Sequence, residues 1–445
     1  MDIVKFVLLL PTVFLILITG LYLSIQLKWL QIFRFPYAVS LLICTRIENK
    51  FSSIAALLTI LGGNLGVGNI SGTAIALKTG GPGFILWMII VIIITSIIKY
   101  ATCYLSIKNI KNNHNISVTY GPISYIAHAF NSQKVIIIFL IIMMLSALTV
   151  GNLVQINSLS IPLKMIQIPV IIGGITMSIL FSSIIVLDFK KINTLISTTI
   201  PVMVISYLVL CGIVLFKFHA NIIPSLELII SHFFTTKSIH LGLSFGALLE
   251  LCTLIQVGTL RGIFATDIGL GLEGIIHSSI IPKKANNKFI IVQSLITIIS
   301  PVIVAFIAFI TTMVLLVTDA WQTDLESTNM CIFAFQQAIN WSYISYCIML
   351  IMFCFAFTTI FTWFACSKQI IHYISTKDKY IKIWVIVFTI VIPLGSISEI
   401  QLLWDIADIL ISALLLINIL AVLKLTYKNP EMFYISNRYL KLRKK

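Results

Sequence analysis

The sequence predicts an all-α integral membrane protein of about eleven transmembrane helices, and three observations carry that expectation. Of its 445 residues, 59% are hydrophobic and 10% charged, with a mean hydropathy of +1.06, well beyond the roughly half-apolar make-up of soluble domains. Apolar runs long enough to cross a hydrocarbon core of about 30 Å follow one another along the chain. They lie near residues 4–26, 50–78, 82–107, 135–158, 165–187, 193–216, 241–275, 289–318, 341–366, 381–397 and 401–425. The second and seventh runs are interrupted by glycine and polar residues where a plain helix would be apolar. Short loops take up the rest, which leaves no room for a folded soluble domain.

Taken in order, the first run has a weak basic start at Lys5 and lacks a small-residue cleavage site before Gln26-Leu27-Lys28, so it reads as a permanent helix and not a removed signal peptide. The second contains Leu61-Gly-Gly-Asn-Leu-Gly-Val-Gly-Asn-Ile-Ser-Gly72, with five glycines and two asparagines. Each glycine lowers helix propensity by roughly 1 kcal/mol, and backbone freed at that depth is tolerated only where it is buried in protein or lines a cavity. The alternative is a small-x-x-x-small packing face at Gly62 and Gly66. Runs three to six are nearly continuous Ile, Leu, Val and Phe. The seventh carries Gly258-Thr-Leu-Arg-Gly-Ile-Phe-Ala-Thr-Asp-Ile-Gly-Leu-Gly-Leu-Glu-Gly274, after the embedded Glu250. Glycine-interrupted spans at matching positions of two five-helix halves point to an inverted-repeat transporter, whose half-helix ends and freed carbonyls hold substrate and cation.

The eight cysteines are scattered and the seven histidines dispersed, without metal-ligand or haem spacing. No nucleophile–base pair or cofactor motif is visible, so an enzyme is not expected. A channel is disfavoured as well, since two isolated breaks in one chain offer no ring of carbonyls or charge. With the C-terminus cytoplasmic and the N-terminus extracytoplasmic, 24 of the 30 Lys and Arg fall on the cytoplasmic side, Arg261 counted among them, against five including Lys78 and Lys164 on the other; Lys99 lies within a span. The net charge of +15 is therefore a topology signal and not a nucleic-acid surface. The basic tail ending Arg443-Lys444-Lys445 suits contact with anionic lipid.

The residues also resemble the alanine or glycine:cation symporters, a branch of the amino-acid transporter superfamily with a LeuT-like fold. Gly66-Val-Gly-Asn-Ile70 with Gly80-Gly-Pro-Gly83 and Trp87-Met88 is similar to that family's G-T-G-N-I and G-G-P-G-A-x-F-W-M. Tyr120-Gly-Pro-Ile-Ser-Tyr125 resembles G-G-P-M-Y-Y, and Gly151-Asn-Leu-Val-Gln155 resembles G-N-x-x-Q. Arg261 to Gly271 is similar to R-G-x-F-S-N-E-A-G-x-G, Phe355-Ala-Phe-Thr-Thr359 with Trp363 to F-A-F-S-T with its tryptophan, and Trp404-Asp-Ile-Ala-Asp408 to W-D-x-A-D.

The resemblance implies secondary active transport, with Na⁺ coupled to uptake of a small neutral amino acid, no covalent chemistry and no cofactor besides the coupling ion. It implies a LeuT-like 5+5 inverted repeat with an extra N-terminal helix. Residues 1–49 would be that helix and a cytoplasmic connector, 50–216 the first repeat, 217–240 an extracytoplasmic connector, 241–425 the second repeat, and 426–445 the cytoplasmic tail. A monomer in the cell membrane is expected, of bacterial inner or plasma membrane type.

Carried over position by position, Gly66, Val67, Gly68 and Asn69 would hold the substrate carboxylate, while Phe264, Ala265 and Thr266 face its amino group and side chain. Gln155 would line the third core helix or make an interhelical hydrogen bond. Trp363 would close the pocket or simply pack. Gly62, Leu65, Thr358 and Thr359 would form a neutral oxygen cage for Na⁺. Val67 stands where the family has threonine, and Ala265-Thr266-Asp267 stands for S-N-E. Ser300-Pro301 occupies the neighbourhood of an expected aspartate. Glu250, Asp267, Asp405 and Asp408 are candidates for proton coupling, because ionisable groups in a span are functional by default. Asp267 either pairs with Arg261 or gates. The rival readings are a proton-coupled symporter and a homologue that binds without transporting.

Overall fold

The computed structural model describes residues 2–43, 50–112, 121–185, 189–233, 245–278, 287–375 and 377–428. Every element among them is helical. Eight helices are long and apolar enough to cross a membrane, or nine when the bent pair Ser53–Asn64 and Val67–Gly80, kinked by 63°, is counted as one span. Sequence analysis expects eleven. Of the other two expected runs, one holds a short apolar helix, Ile171–Ile185, because the chain before it tightens into a 3-10 turn at Ile161–Ile166. The other holds a second broken helix, Phe245–Thr266 and Leu272–Ser278, whose polar and glycine content lowers its hydropathy. Tyr120 and the tail beyond Lys428 lie outside the described residues.

Exposed apolar stripes show how these helices meet a membrane. Ile172, Ile175 and Ile179 recur at helical spacing on one helix, Val202, Ile205, Val209, Ile213 and Phe216 on the next, and Ile383, Ile386, Ile390 and Leu394 on another, all exposed. A soluble helix turns such a stripe inward. Here the stripes face outward and suit lipid.

Inside, the helices form two packed groups. In one, the helix Phe84–Asn112 contacts Phe245–Thr266, Leu272–Ser278, Asn287–Thr297 and Ile299–Val317, and the first broken helix packs beside them. Phe84–Asn112 is strongly apolar without a single apolar stripe, and it is accordingly central. In the other group, Gln133–Leu148 and its continuation Val154–Ser160 pack with Ile171–Ile185, Ile344–Ile374 and Asp378–Ile397. Lys50–Asn64, the first half of the first broken helix, lies against Ile344–Ile374 and so bridges the two groups. The site forms at that seam.

One core residue gives a stability prediction. Trp363 is 1% exposed, and its indole meets Gly151 so closely that a Cβ there would lie 2.4 Å from the Trp363 side chain. Trp363→Ala is expected to destabilise the protein by about 3–5 kcal/mol, the usual cost of emptying an aromatic site, measured as a lower melting temperature in detergent.

Candidate functional site

The first helix ends at Asn64, and Leu65 N donates to Leu61 O at 2.6 Å. Gly66 is then extended (φ −84°, ψ −176°), Val67–Asn69 make one 3-10 turn, and a new helix starts at Ser71. Side chains replace the lost helical bonds, as they must for buried backbone. Asn69 Nδ2 donates to Asn64 O at 2.6 Å, Ser71 Oγ to Val67 O at 2.9 Å, and the Val67 amide to Gln155 Oε1 at 3.0 Å. Gln155 Nε2 in turn donates to Val150 O at 3.0 Å, within the π-helical turn Thr149–Leu153, a local widening frequent at functional sites. Gln155 thus makes the interhelical bond foreseen for it, and makes it to the broken backbone itself.

Close approach explains the glycines here. A Cβ on Gly66 would lie 2.6 Å from Gln155 Oε1 and 2.8 Å from Thr359 Oγ1, and one on Gly68 would lie 2.6 Å from the Phe264 ring. This is a site where other helices reach the backbone, which a simple small-residue packing face does not require.

Four residues upstream, Thr359 Oγ1 donates to Gly62 O at 2.9 Å and lies 3.3 Å from Gly63 O. Thr358 instead donates to Phe355 O in its own helix at 3.1 Å. Thr362, which sequence analysis did not single out, donates to Thr358 O at 2.8 Å and lies 3.3 Å from Thr59 O. The neutral oxygens at this seam are therefore the Gly62 and Gly63 carbonyls with Thr359, flanked by Thr362. Leu65 is fully buried one turn beyond Gly62.

The second break spans 267–271, where Asp267 (φ 52°), Gly269 (φ 81°) and Gly271 (φ 86°) adopt left-handed backbone. Glycine tolerates that conformation, and aspartate does so better than most side chains. Asn418 Nδ2 donates to Gly269 O at 2.6 Å and ties the break to the last long helix. Thr266 Oγ1 is back-bonded to Gly262 O at 2.6 Å, and Ala265 is buried.

Over the first break lie Phe264, Trp404, Arg261 and Asp408, a layer called the lid below. The Phe264 ring, against Gly68, is 4.5 Å from Trp404, whose ring edge would lie 2.9 Å from a Cβ on Gly72. Arg261 sits 4.5 Å above Trp404 and pairs with Asp408 at 2.5 Å. Asp267 is not the partner of Arg261, since the helix holding Arg261 continues unbroken to Thr266 and turns the two apart. Outside the lid is a hollow of about 300 Å³ lined by Lys78, Arg261, Glu326, Trp404, Asp405 and Asp408. Glu326, Ser327 and Ile400 also line an adjoining hollow of about 460 Å³ that includes Lys164, Asp324 and Glu399. Arg261 shares a chamber with Lys78, so it is a residue of the helix interior and not the cytoplasmic loop charge that the count of basic residues took it for.

Sequence reasoning missed one further cluster. Lys99, Glu273 and Asp267 are all buried, from three different segments. Lys99 Nζ donates to Ser300 Oγ at 3.3 Å, Asn64 Nδ2 reaches the same oxygen at 3.5 Å, and Thr102 hydrogen-bonds Glu273 Oε1. The signal was present, since a lysine inside a span demands a counter-charge, but its partner lies 171 residues from Thr102 in sequence. Glu250 lies in the helix Phe245–Thr266, and its side chain is outside the described residues.

A family model described as the sodium:alanine symporter family matches residues 2–445. Among curated relatives, an uncharacterized transporter of Haemophilus influenzae is 29% identical over 93% of this chain and 90% of its own length. A Methanococcus maripaludis protein named sodium/alanine symporter AgcS is 27% identical over 93% and 91%. A Bacillus subtilis protein named probable sodium/glutamine symporter GlnT is 25% identical over 93% and 84%. Of solved structures, a manganese transporter of Eremococcus coleocola superposes with a TM-score of 0.50 at 14% identity, covering 85% of this chain and 77% of that one; the likeness concerns the fold alone.

Proposed function

Because the chain belongs to the sodium:alanine symporter family, whose members are membrane transporters and not enzymes, we propose that it takes up a small neutral amino acid of alanine or glycine size together with Na⁺, by alternating access. The observation that supports this reading best is that one short stretch, Gly62 to Gly68, running from the last turn of the first helix through the break into the 3-10 turn, meets Thr359 at one end and Gln155 at the other. A substrate carboxylate competes with Gln155 Oε1 for the Val67 amide, and the released Gln155 amide is free to engage the substrate. Gly66, Gly68 and Asn69 line the same turn, with Phe264, Ala265 and Thr266 across it. The close packing of Gly66 and Gly68 favours a small side chain.

A cation at the seam draws on the Gly62 and Gly63 carbonyls, with Leu65 and Thr358 beside them. Its arrival turns the Thr359 hydroxyl so that a lone pair and not the proton faces the ion. Ion and carboxylate then order the same few residues, so each lowers the cost of ordering them for the other. That is a reciprocal coupling free energy, commonly 1–3 kcal/mol. The lid of Phe264, Trp404, Arg261 and Asp408 closes the substrate turn from the chamber that holds Lys78, on the extracytoplasmic side in the proposed topology. The C-terminus is then cytoplasmic, and the chain works as a monomer in the cell membrane.

Thr359→Val keeps the shape and removes the oxygen. It is expected to raise the Na⁺ concentration for half-maximal alanine binding by about tenfold, the equivalent of 1.4 kcal/mol, whereas Thr359→Ser retains the wild-type value. Scintillation-proximity binding of labelled alanine across a Na⁺ series checks this. An unchanged Na⁺ dependence in Thr359→Val contradicts the cage.

A further inference from the structure

Between the Phe84–Asn112 helix and the second break, two carboxylates and one ammonium share a fully buried place. Glu273 and Lys99 are 0% exposed and Asp267 is 2% exposed. Glu273 Oε2 and Asp267 Oδ2 have no hydrogen-bond partner. Lys99 interacts electrostatically with both carboxylates, yet one ammonium balances only one of them. A bare carboxylate at that depth is expensive and calls for a further cation.

Packing decides which cation fits. A Cβ on Gly274 would lie 2.3 Å from Ser106 Oγ, and one on Gly271 would lie 3.0 Å from Pro122, so the short helix that carries Glu273 is tight against its neighbours. A metal ion beside the Lys99 ammonium would also be repelled. A proton needs no room.

The hydrogen bonds around Glu273 serve both protonation states. Thr102 Oγ1 carries one proton and lies within reach of three acceptors, Glu273 Oε1, Ile98 O at 3.0 Å and Lys99 O at 3.1 Å. With Glu273 ionised, the hydroxyl donates to the carboxylate. With Glu273 protonated, the acid donates to the hydroxyl, which turns its own proton to the Ile98 carbonyl one turn back. One turn along the short helix, His277 Nδ1 bonds Gln293 Oε1 at 3.0 Å, and Gln293 Nε2 donates to Ser53 Oγ at 2.5 Å. That orientation makes Nδ1 the protonated nitrogen and leaves Nε2 a buried lone pair without a partner, a next acceptor for the proton.

We propose that Glu273, switched by Thr102 and countered by Lys99, is a proton-carrying site that couples proton movement to the Na⁺-driven cycle. The proposal rests on the symport reading. A proton from the bulk adds to Glu273 Oε1, giving a neutral acid that donates to the Thr102 hydroxyl beside Lys99 and Asp267, and it leaves by the same bond breaking when the cycle returns. Because Asp267 and Glu273 flank the second break, movement of one half-helix against the other changes how strongly Lys99 holds Glu273 ionised. The remaining titratable neighbours of the carboxylate are Cys103 on the Phe84–Asn112 helix, Tyr125 opposite, Cys366 on the helix Ile344–Ile374 and His277.

The test pairs infrared spectroscopy with flux. In purified wild-type protein, a pH titration followed by infrared difference spectroscopy is expected to show a protonated carboxylic-acid carbonyl band that is lost in Glu273→Gln, whose amide mimics the protonated acid. In proteoliposomes under a Na⁺ gradient with alanine, a trapped pH dye reports proton movement in wild type and its loss in Glu273→Gln. Thr102→Val, which removes only the switching hydroxyl, shifts the midpoint of the band. Absence of the band, or the same proton signal and pH profile in wild type and Glu273→Gln, overturns the proposal. If wild type accumulates no amino acid under any gradient, the symport reading fails, and the infrared titration still decides the protonation of Glu273.

Discussion

Gly66→Leu and Gly68→Leu are each expected to abolish Na⁺-driven uptake while leaving a folded, membrane-inserted protein. At Gly66 even the first side-chain atom would collide with Gln155 Oε1 and Thr359 Oγ1, the two groups proposed to meet the substrate and the cation. At Gly68 it would meet the Phe264 ring and lift the lid. Overpacking of this kind costs about 1–3 kcal/mol, a modest loss for a core of this size. The same energy acting on the site is a factor of about 5 to 150 in affinity. Uptake per folded molecule, with folding checked by gel filtration and melting temperature, separates the two effects. Wild-type uptake kinetics in both variants would remove the site from this part of the chain.

The lid supplies the second large effect. Arg261→Gln or Asp408→Asn leaves the other charge largely buried without its partner, and removing one member of such a pair costs more than the pair contributes. Each single variant is expected to lose roughly tenfold or more in uptake. The double variant Arg261→Gln with Asp408→Asn is expected to lose less than the product of the singles, because neither charge is then stranded. A strictly multiplicative loss would mean that the ion pair is incidental to closure.

Much of this was legible in the sequence. Apolar length located the spans, because lipid demands long runs of nonpolar residues, and the glycine clusters located both breaks. Gln155 and Thr359, carried over from the family resemblance, both make hydrogen bonds to the first break or the helix end before it. The residues that escaped notice depend on which helix stands opposite which. Pairing with Asp267, six residues away, was one of the two readings left open for Arg261, whereas its partner Asp408 is 147 residues distant. Thr362 was not singled out, and half of its bonding is ordinary back-bonding within its own helix. Lys99 was noted only as lying within a span, and the carboxylate near it, Glu273, belongs to a distant segment, the short helix Leu272–Ser278. Periodicity gives each helix a face and leaves its neighbour undetermined.

The span count differed for a related reason. Hydropathy treats residues 165–187 and 241–275 as full crossings, but the chain shortens the first with a 3-10 turn and breaks the second at Asp267. Local backbone geometry, and not apolar length, sets where the first of these helices begins and where the second breaks.

The most direct test of the whole account is accumulation of labelled alanine or glycine in proteoliposomes of the purified chain, with an inward Na⁺ gradient, with a proton gradient alone, and with neither. The account predicts accumulation above the external concentration when Na⁺ is supplied, none without a gradient, and loss of the Na⁺ effect in Thr359→Val. Equilibration without accumulation, or the same uptake whether or not Na⁺ is present, would contradict it.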